Sequence, residues 1–282
     1  MAELRAQAGA ALRLLSPADI ADLLDRHGLA PRKADGQNFV GDPNTVRGIV
    51  ADAGLDADDV VVEVGPGLGS LTLALAGAAG RVEAVELDAG LVRALQEVLE
   101  GVDNVGVHHA DVMDQELGAL AGGPFRVVAN LPYNLATPIV AHILADPLAL
   151  DAYVMVQREV GQRWAAAPGD PLYAGVSVRL QLQASVALGR HVSRNVFTPV
   201  PRVDSQMVHL RRTGSLDPWV REVVDAAFAQ RRKVLRRTLQ VVAPTVAVEA
   251  ALAACGLGAT ARPEELAPGA FVELAAALAA AR

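Results

Sequence analysis

Asn130-Leu131-Pro132-Tyr133 is the stretch whose residue types best suit a chemical step. The side-chain oxygen of Asn130 and the backbone carbonyl of Leu131, which Pro132 would turn outward, could accept both N–H groups of an exocyclic adenine amine. Those two hydrogen bonds would direct the nitrogen lone pair at an electrophile, and stacking of the base on Tyr133 is worth roughly 1–3 kcal/mol. Such a site needs no strong general base, because alignment of the reactants supplies most of the acceleration. The alternative is a tight turn, since Asn and Pro are common turn formers.

A glycine-rich segment upstream, residues 63–69 (E-V-G-P-G-L-G), is a candidate ligand-binding loop. The dinucleotide fingerprint G-x-G-x-x-G fails because Ser70 stands where its third glycine would be. The pattern E-x-G-x-G-x-G fits the loop that many methyltransferases wrap around the methionine part of S-adenosylmethionine. Glu86 and Asp111, which end the next two predicted strands, could accept hydrogen bonds from the ribose hydroxyls and the adenine amine. Each acid could instead be an ordinary helix N-cap.

An alternation of strands and helices must position these residues. Short β-branched runs predict strands over 60–64, 81–85, 105–108, 125–129 and 152–156. Helices are predicted between them, near 70–78, 89–99 and 137–144. This order predicts an α/β fold, a doubly wound Rossmann-like methyltransferase sheet with its ligands at the carboxyl ends of the strands. The strand before Asn130 would then lie beside the first strand, so that Asn130 and the glycine loop share a pocket.

Helical patterns flank this alternation. A leading helix capped at Ser16 is predicted within 1–30, and late strands over 192–197 and 206–210 could form a hairpin at the sheet's edge. Beyond Asp217 the pattern is only helical, near 219–229, 233–242, 246–254 and 268–280. We therefore predict a catalytic domain over 1–213, with a helical lead-in over 1–31, and a small all-α domain over 214–282.

Charge is distributed unevenly along the chain. Residues 190–237 hold eleven Lys and Arg against four acids, a net +7, whereas the whole chain is −7 and its remainder −14. A basic region on an acidic body fits local binding to phosphates, although a solvated helical face is the alternative.

Several kinds of protein are disfavoured by composition. The single cysteine, Cys255, rules out an internal disulfide or a multi-cysteine zinc site, and His108-His109 lack a metal-binding pattern. No apolar run approaches the roughly 20 residues that span a bilayer. We expect a cytoplasmic protein that binds no metal and does not associate with a membrane.

A second aromatic side chain could sandwich a base that has been taken out of its stack. Phe197 is the candidate, because Pro199 and Pro201 would stiffen its loop beside the pocket. The alternative is a buried loop phenylalanine.

Three further motifs resemble those of the ribosomal RNA adenine dimethyltransferase family, over most of the chain from about Arg32. Residues 36–40 read G-Q-N-F-V, similar to the family's G-Q-N-F-L; residues 197–205 read F-T-P-V-P-R-V-D-S, similar to F-x-P-x-P-x-V-D-S; and residues 227–233 read A-F-A-Q-R-R-K, similar to A-F-x-Q-R-R-K. The resemblance implies contacts to S-adenosylmethionine from Asn38, Val40, Gly65, Glu86, Asp111 and Asn130. It also implies RNA contacts from the basic region, with the candidates Arg194, Arg202, Arg231, Arg232, Lys233 and Arg236.

Two branches of this family differ in their targets. One dimethylates two adjacent adenines in a hairpin near the 3′ end of small-subunit 16S rRNA, and the antibiotic-resistance branch modifies one adenine of large-subunit rRNA. Leu131 and Val203-Asp204-Ser205 look like the first branch, since the second more often shows N-I-P-Y and V-N-S. Two positions depart from the pattern: Val40 replaces a leucine, and Ala34-Asp35 places an acid near the expected RNA entrance.

The resemblance thus implies a monomeric enzyme acting on small-subunit rRNA or on an assembling 30S particle. Two alternatives stay open: a large-subunit rRNA methyltransferase, and a ribosome assembly factor with little catalysis. A nicotinamide-dependent oxidoreductase is a more distant alternative.

Overall fold

The computed structural model describes residues 12–31, 37–230 and 233–281. The chain forms two compact units: the first comprises Met1–Arg158 and Gly189–His209, and the second comprises Glu159–Leu188 and Leu210–Arg282. This division differs from the single predicted boundary at residue 213. The difference arises because Tyr173 and Val178 pack in one apolar cluster with the C-terminal helices.

The strands form one seven-stranded sheet and one two-stranded sheet. In chain order they are β1 (Phe39–Val40), β2 (Val60–Val64), β3 (Arg81–Glu86), β4 (Val105–His109), β5 (Phe125–Asn130), β6 (Ala149–Gln157), β7 (Ala184–Val192), β8 (Phe197–Thr198) and β9 (Ser205–Arg212). The large sheet has the order β4-β3-β2-β5-β6-β9-β7, and β1 pairs with β8 antiparallel. Strands β2 to β6 pair in parallel wherever they are neighbours.

The strand order reverses between β2 and β5. The chain runs outward from β2 through β3 to β4, and then returns to the other side of β2 as β5 and β6. The loops after β2 and β5 therefore flank the topological switch point, where open α/β sheets bind ligands. The predicted doubly wound sheet is confirmed, including the placement of β5, which ends at Asn130, beside β2.

Helices of the first unit connect these strands: α1 (Pro17–Arg26), α2 (Pro43–Ala53), α3 (Ser70–Ala76), α4 (Ala89–Val98), α5 (Leu117–Ala121) and α6 (Ala136–Ala145). The predicted cap of the leading helix is confirmed, since Ser16 and Asp19 form a reciprocal capping box at its start. Val61, Leu75, Val82 and Leu95 lie in the core that packs these helices on the sheet.

The second unit is helical apart from the first part of β7 and the last part of β9. Its helices are α7 (Arg158–Ala165, which begins at the last residue of the first unit), α8 (Gly175–Gln181), α9 (Pro218–Phe228), α10 (Leu235–Thr238), α11 (Thr245–Ala254) and α12 (Pro268–Ala280). Val223, Leu239 and Phe271 are fully buried in its core. No helix among the described residues is long and apolar enough to cross a membrane.

Two predicted elements are wrong in detail. The strand expected over 192–197 shares only Val192 with β7 (Ala184–Val192). A 3-10 turn over Arg194–Val196 follows, because the Ser193 side chain caps that turn. The helix expected over 233–242 is the short α10 followed by a 3-10 turn over Leu239–Val241.

Candidate active site

A cavity of about 280 Å³ lies at the switch point of the sheet, within the first unit. All six residues predicted to contact S-adenosylmethionine line it: Asn38, Val40, Gly65, Glu86, Asp111 and Asn130. Leu131 and Pro132 line it as well, whereas Tyr133 and Phe197 are not among its lining residues. The sheet order thus brings together loops that are far apart in the sequence.

The glycine loop after β2 has a backbone conformation that favours glycine and lies close to the Phe39 ring. Gly65 and Gly67 have φ values of +68° and +59°, which favour glycine over other residues. A Cβ atom on Gly67 would lie 2.9 Å from the Phe39 ring. Glycine at 67 therefore lets the segment that contains β1 pack directly on this loop.

Glu86, at the end of β3, ties the loop to the sheet. One carboxylate oxygen accepts the Gly67 N–H at 3.1 Å and the other accepts the Asp88 N–H at 2.9 Å. Burial raises the pKa of Glu86 above its usual value, while the N–H groups of Asp88 and Gly67 oppose that rise. A carboxylate has about four acceptor positions, so Glu86 keeps acceptor capacity for a ligand's hydroxyl group.

Asp111 follows β4, the strand next to β3, and lines the cavity. Its side chain is exposed and accepts the Met113 N–H at 2.9 Å, so it caps a 3-10 turn over Val112–Asp114. Asp111 therefore has the capping role considered as the alternative, and it also lines the cavity.

Glu63 was missed as a site residue, although it opens the glycine motif. Its side chain lines the cavity at 1% exposure, and Oε2 has no hydrogen-bond partner among the described residues. Burial raises the pKa of Glu63 to about 8. The acid that precedes G-x-G-x-G was the sequence signal that could have identified it.

The Asn130 amide has a single sensible orientation. Its Nδ2 donates to the Asn38 carbonyl at 3.0 Å, and a carbonyl oxygen can only accept. Oδ1 therefore faces the other way, buried and without a partner among the described residues. An unpaired buried acceptor costs about 1–3 kcal/mol, so this oxygen is suited to a ligand's N–H.

The turn after Asn130 is held by backbone hydrogen bonds. The Leu131 N–H donates to the Met155 carbonyl at 3.1 Å, and the Leu135 N–H donates to the Pro132 carbonyl at 3.0 Å. The Leu131 side chain is buried at 1% exposure. Neighbouring strand β6 therefore fixes where this turn begins.

Tyr133 is partly exposed at the end of this turn. Its hydroxyl shares a hydrogen bond of 2.7 Å with the Ser205 hydroxyl, and burial raises the pKa of Tyr133. One edge of the ring is thus attached to the protein, while part of the side chain stays accessible.

Phe197 lies beside the cavity wall, but its side chain is buried. The side chain is 2% exposed and packs in the core with Val40 and Val46, and the short strand that it begins pairs with β1. The prediction that Phe197 offers a stacking face is not supported by this position, because its apolar ring is more stable in the core. It instead supports Val40, which lines the cavity.

The predicted RNA contacts have different environments. Arg194 pairs with Asp204 at 3.1 Å and donates to the Arg202 carbonyl at 2.7 Å, so it holds its own loop. Arg236 pairs with Glu249 at 2.5 Å in the second unit. Arg202 and Lys233 are exposed. Several positions singled out in the sequence lie outside the described residues: Ala34, Asp35, Gly36, Arg231 and Arg232.

The comparison with known proteins decides the family. Residues 28–280 match the sequence profile of the family described as ribosomal RNA adenine dimethylase. The chain belongs to this family. A ribosomal RNA adenine dimethylase is a methyltransferase, which excludes the oxidoreductase alternative.

Individual relatives agree with the dimethylase assignment. The chain is 46% identical over 278 residues to the ribosomal RNA small subunit methyltransferase A of Leifsonia xyli subsp. xyli, covering 94% of this chain and 99% of that protein. The solved structure of the 23S rRNA methyltransferase ErmE is 29% identical with a TM-score of 0.66, covering 86% of this chain and 99% of that one. A dimethyladenosine transferase from Plasmodium falciparum, 23% identical with a TM-score of 0.72, covers 83% and 94% and shows the same fold.

Proposed function

We propose that this dimethylase transfers methyl groups from S-adenosylmethionine to the N6 amines of two adjacent adenines, in a hairpin near the 3′ end of small-subunit rRNA. Relatives between 43% and 48% identical over nearly the whole chain carry the name small subunit methyltransferase A. Leu131 and the V-D-S triplet at 203–205 favour the same branch.

The observation that carries the proposal is the Asn130 amide. Its Oδ1 is a buried acceptor without a partner among the described residues, and the Asn38 carbonyl fixes its direction. An adenine amine has two N–H donors, and Asn130 together with the Leu131 carbonyl would accept both. The nitrogen lone pair would then point at the electrophile, and the proton that the alkylated nitrogen releases would pass to water.

The cavity residues fit S-adenosylmethionine. Bound there, it would supply an electrophilic methyl group. Glu86 would accept from its ribose hydroxyls and Asp111 from its adenine amine, while Gly65 permits close backbone approach. Glu63 would lie near the same ligand with its unpartnered oxygen. Asn38 and Val40 would close the site from the β1 segment.

RNA contact is proposed for exposed cations of both units, Arg202 and Lys233 among them, and for Arg231 and Arg232 on sequence grounds. We propose that the protein acts as a cytoplasmic monomer on free small-subunit rRNA or on an assembling 30S particle. The excess of cations over 190–237 supports this placement of the RNA.

Labelled transfer to separated ribosomal subunits tests the target. The purified chain is incubated with S-adenosylmethionine labelled in its methyl group and with unmethylated small subunits, large subunits or their naked rRNAs. We expect label on small-subunit RNA, and transfer to it roughly 100-fold slower or more with the Asn130→Ala variant. Label on large-subunit RNA alone would assign the chain to the other branch, and absence of label from every RNA would favour an assembly role.

A further inference from the structure

Tyr133 and Ser205 meet across 72 residues of sequence, at the end of the Asn130 turn. The two hydroxyl oxygens are 2.7 Å apart. Ser205 is fully buried at 0% exposure, whereas Tyr133 is partly exposed. The hydrogen bond therefore joins a fixed interior group to a side chain that reaches the surface.

Ser205 is held in place without help from Tyr133. The preceding carbonyl, that of Asp204, accepts the Arg158 N–H at 3.0 Å, next to the end of β6. The Asp204 carboxylate accepts the backbone N–H and the Nε–H of Arg194, each at 3.1 Å. Because these bonds and strand β9 fix the backbone at 204–205, loss of the Tyr133 contact would free the tyrosine and not the serine.

We propose that Ser205 is a positioning residue, whose hydroxyl holds the Tyr133 ring in the place where the target adenine stacks. A tyrosine ring is carried by the rotation about Cα–Cβ, and attaching its far oxygen to Ser205 restricts that rotation and so fixes where the ring lies. Fixing a contacting group before binding reduces the ordering required in the reactive complex. This inference rests on the proposed role of Tyr133 at the transfer site.

The test removes the hydrogen bond from each side in the full chain. Ser205→Ala and Tyr133→Phe should each lower kcat on small-subunit RNA roughly five- to tenfold, the effect of losing one ordinary hydrogen bond in the transition state. The dissociation constant for S-adenosylmethionine should stay within about twofold of the unmodified protein, because neither residue lines the cavity. The double variant should be no slower than the slower single one, since both changes remove the same bond.

Ser177→Ala is the matched control. Ser177 is also 0% exposed, and its hydroxyl donates to the Arg163 carbonyl in the second unit. It should lose stability as Ser205→Ala does, yet keep kcat. If Ser205→Ala fails to fold, Tyr133→Phe decides alone, because it retains the ring.

Unchanged kcat in Ser205→Ala and Tyr133→Phe, with Tyr133→Ala inactive, would overturn the positioning role and leave the proposed function intact. Effects of the two single changes that multiply in the double variant would also overturn it. Full activity of Tyr133→Ala would instead contradict the role of Tyr133 on which this inference rests.

Discussion

Asn130 shows how one contact selects the atom that meets a substrate. The Asn38 carbonyl takes the amide N–H, so the amide oxygen is left without a partner among the described residues. The sequence predicted the residue and its chemistry, but the contact with residue 38 joins segments 92 positions apart and needs the folded chain. The burial of Phe197 also needs the folded chain, because a loop with prolines has the same sequence pattern whether its aromatic ring faces a pocket or the core.

Replacing Asn130 with alanine should lower kcat roughly 100-fold or more, since one preorganised partner of the transition state is lost. RNA affinity should change by less than about threefold, because binding depends mainly on phosphate contacts. Asn104→Ala is the control: Asn104 also donates to backbone carbonyls, those of Ala76 and Ala79, but is not among the cavity residues. Single-turnover rates and RNA binding measured on both variants check this. A large loss of RNA affinity with kcat retained would mean that the catalytic centre is elsewhere.

The raised pKa of the buried Glu63 carboxyl predicts that the stability of the folded protein depends on pH. Burial raises its folded-state pKa from 4.5 to about 8, so between these values the folded chain keeps a proton that the unfolded chain loses. The contribution of Glu63 to stability is thus largest below pH 4.5 and falls as the pH rises toward 8. The Glu63→Gln variant cannot ionise at this position. Its free energy of unfolding, relative to that of the unmodified protein, should therefore rise by roughly 1–4 kcal/mol between pH 5 and pH 8. Urea denaturation at both pH values measures this, and a constant difference would show that Glu63 is ionised in the fold.

At the scale of elements, the switch point explains why distant motifs share one cavity. The strand pattern alone predicted the parallel order and the pairing of β2 with β5, because runs of buried β-branched residues alternate with helices. The end of β7 was missed, since Val192 and Val196 suit a strand while Ser193 caps a 3-10 turn between them. Helices α7 and α8 were also missed, because they are short and Pro168 and Gly169 stand in the loop between them.

Gly67→Ala should weaken binding of S-adenosylmethionine by roughly tenfold or more, since a Cβ would lie 2.9 Å from Phe39 and the φ of +59° is unfavourable for alanine. Gly54→Ala separates the two causes, because Gly54 has a φ of +58° and nothing within 4 Å of its Cβ position. The control should lose only about 1 kcal/mol of stability and keep its ligand affinity. Calorimetric titration with the cofactor checks both variants. Equal affinities for the two would show that packing of Phe39 on the loop does not shape the site.

At the scale of the whole molecule, an acidic protein carries a basic stretch suited to RNA. The net charge of −7 conceals a segment of +7 over 190–237, and only the distribution along the chain reveals it. The sequence could not show that Arg194 and Arg236 are engaged in ion pairs, because their partners, Asp204 and Glu249, are neighbours only in the fold.

Replacing Arg202 and Lys233 together with glutamine should weaken RNA binding and reduce the slope of log affinity against log salt by roughly 1–2. Arg47→Gln is the control, since Arg47 is an exposed cation outside the basic stretch that donates to the Asn44 side chain. Binding measured between 50 and 200 mM salt (about the range in which phosphate contacts dominate) gives both slopes. An unchanged slope in the double variant would make these cations solvated surface and not RNA contacts.

The central claim is tested most directly by identifying the product. After reaction of S-adenosylmethionine with unmethylated small-subunit RNA, and separately with large-subunit RNA, mass spectrometry of nuclease fragments counts and locates the methylated adenines. We predict N6,N6-dimethyladenosine at two adjacent positions in a single fragment from the 3′ end. Methylation at another base atom, or dimethyladenosine confined to large-subunit RNA, would contradict the account.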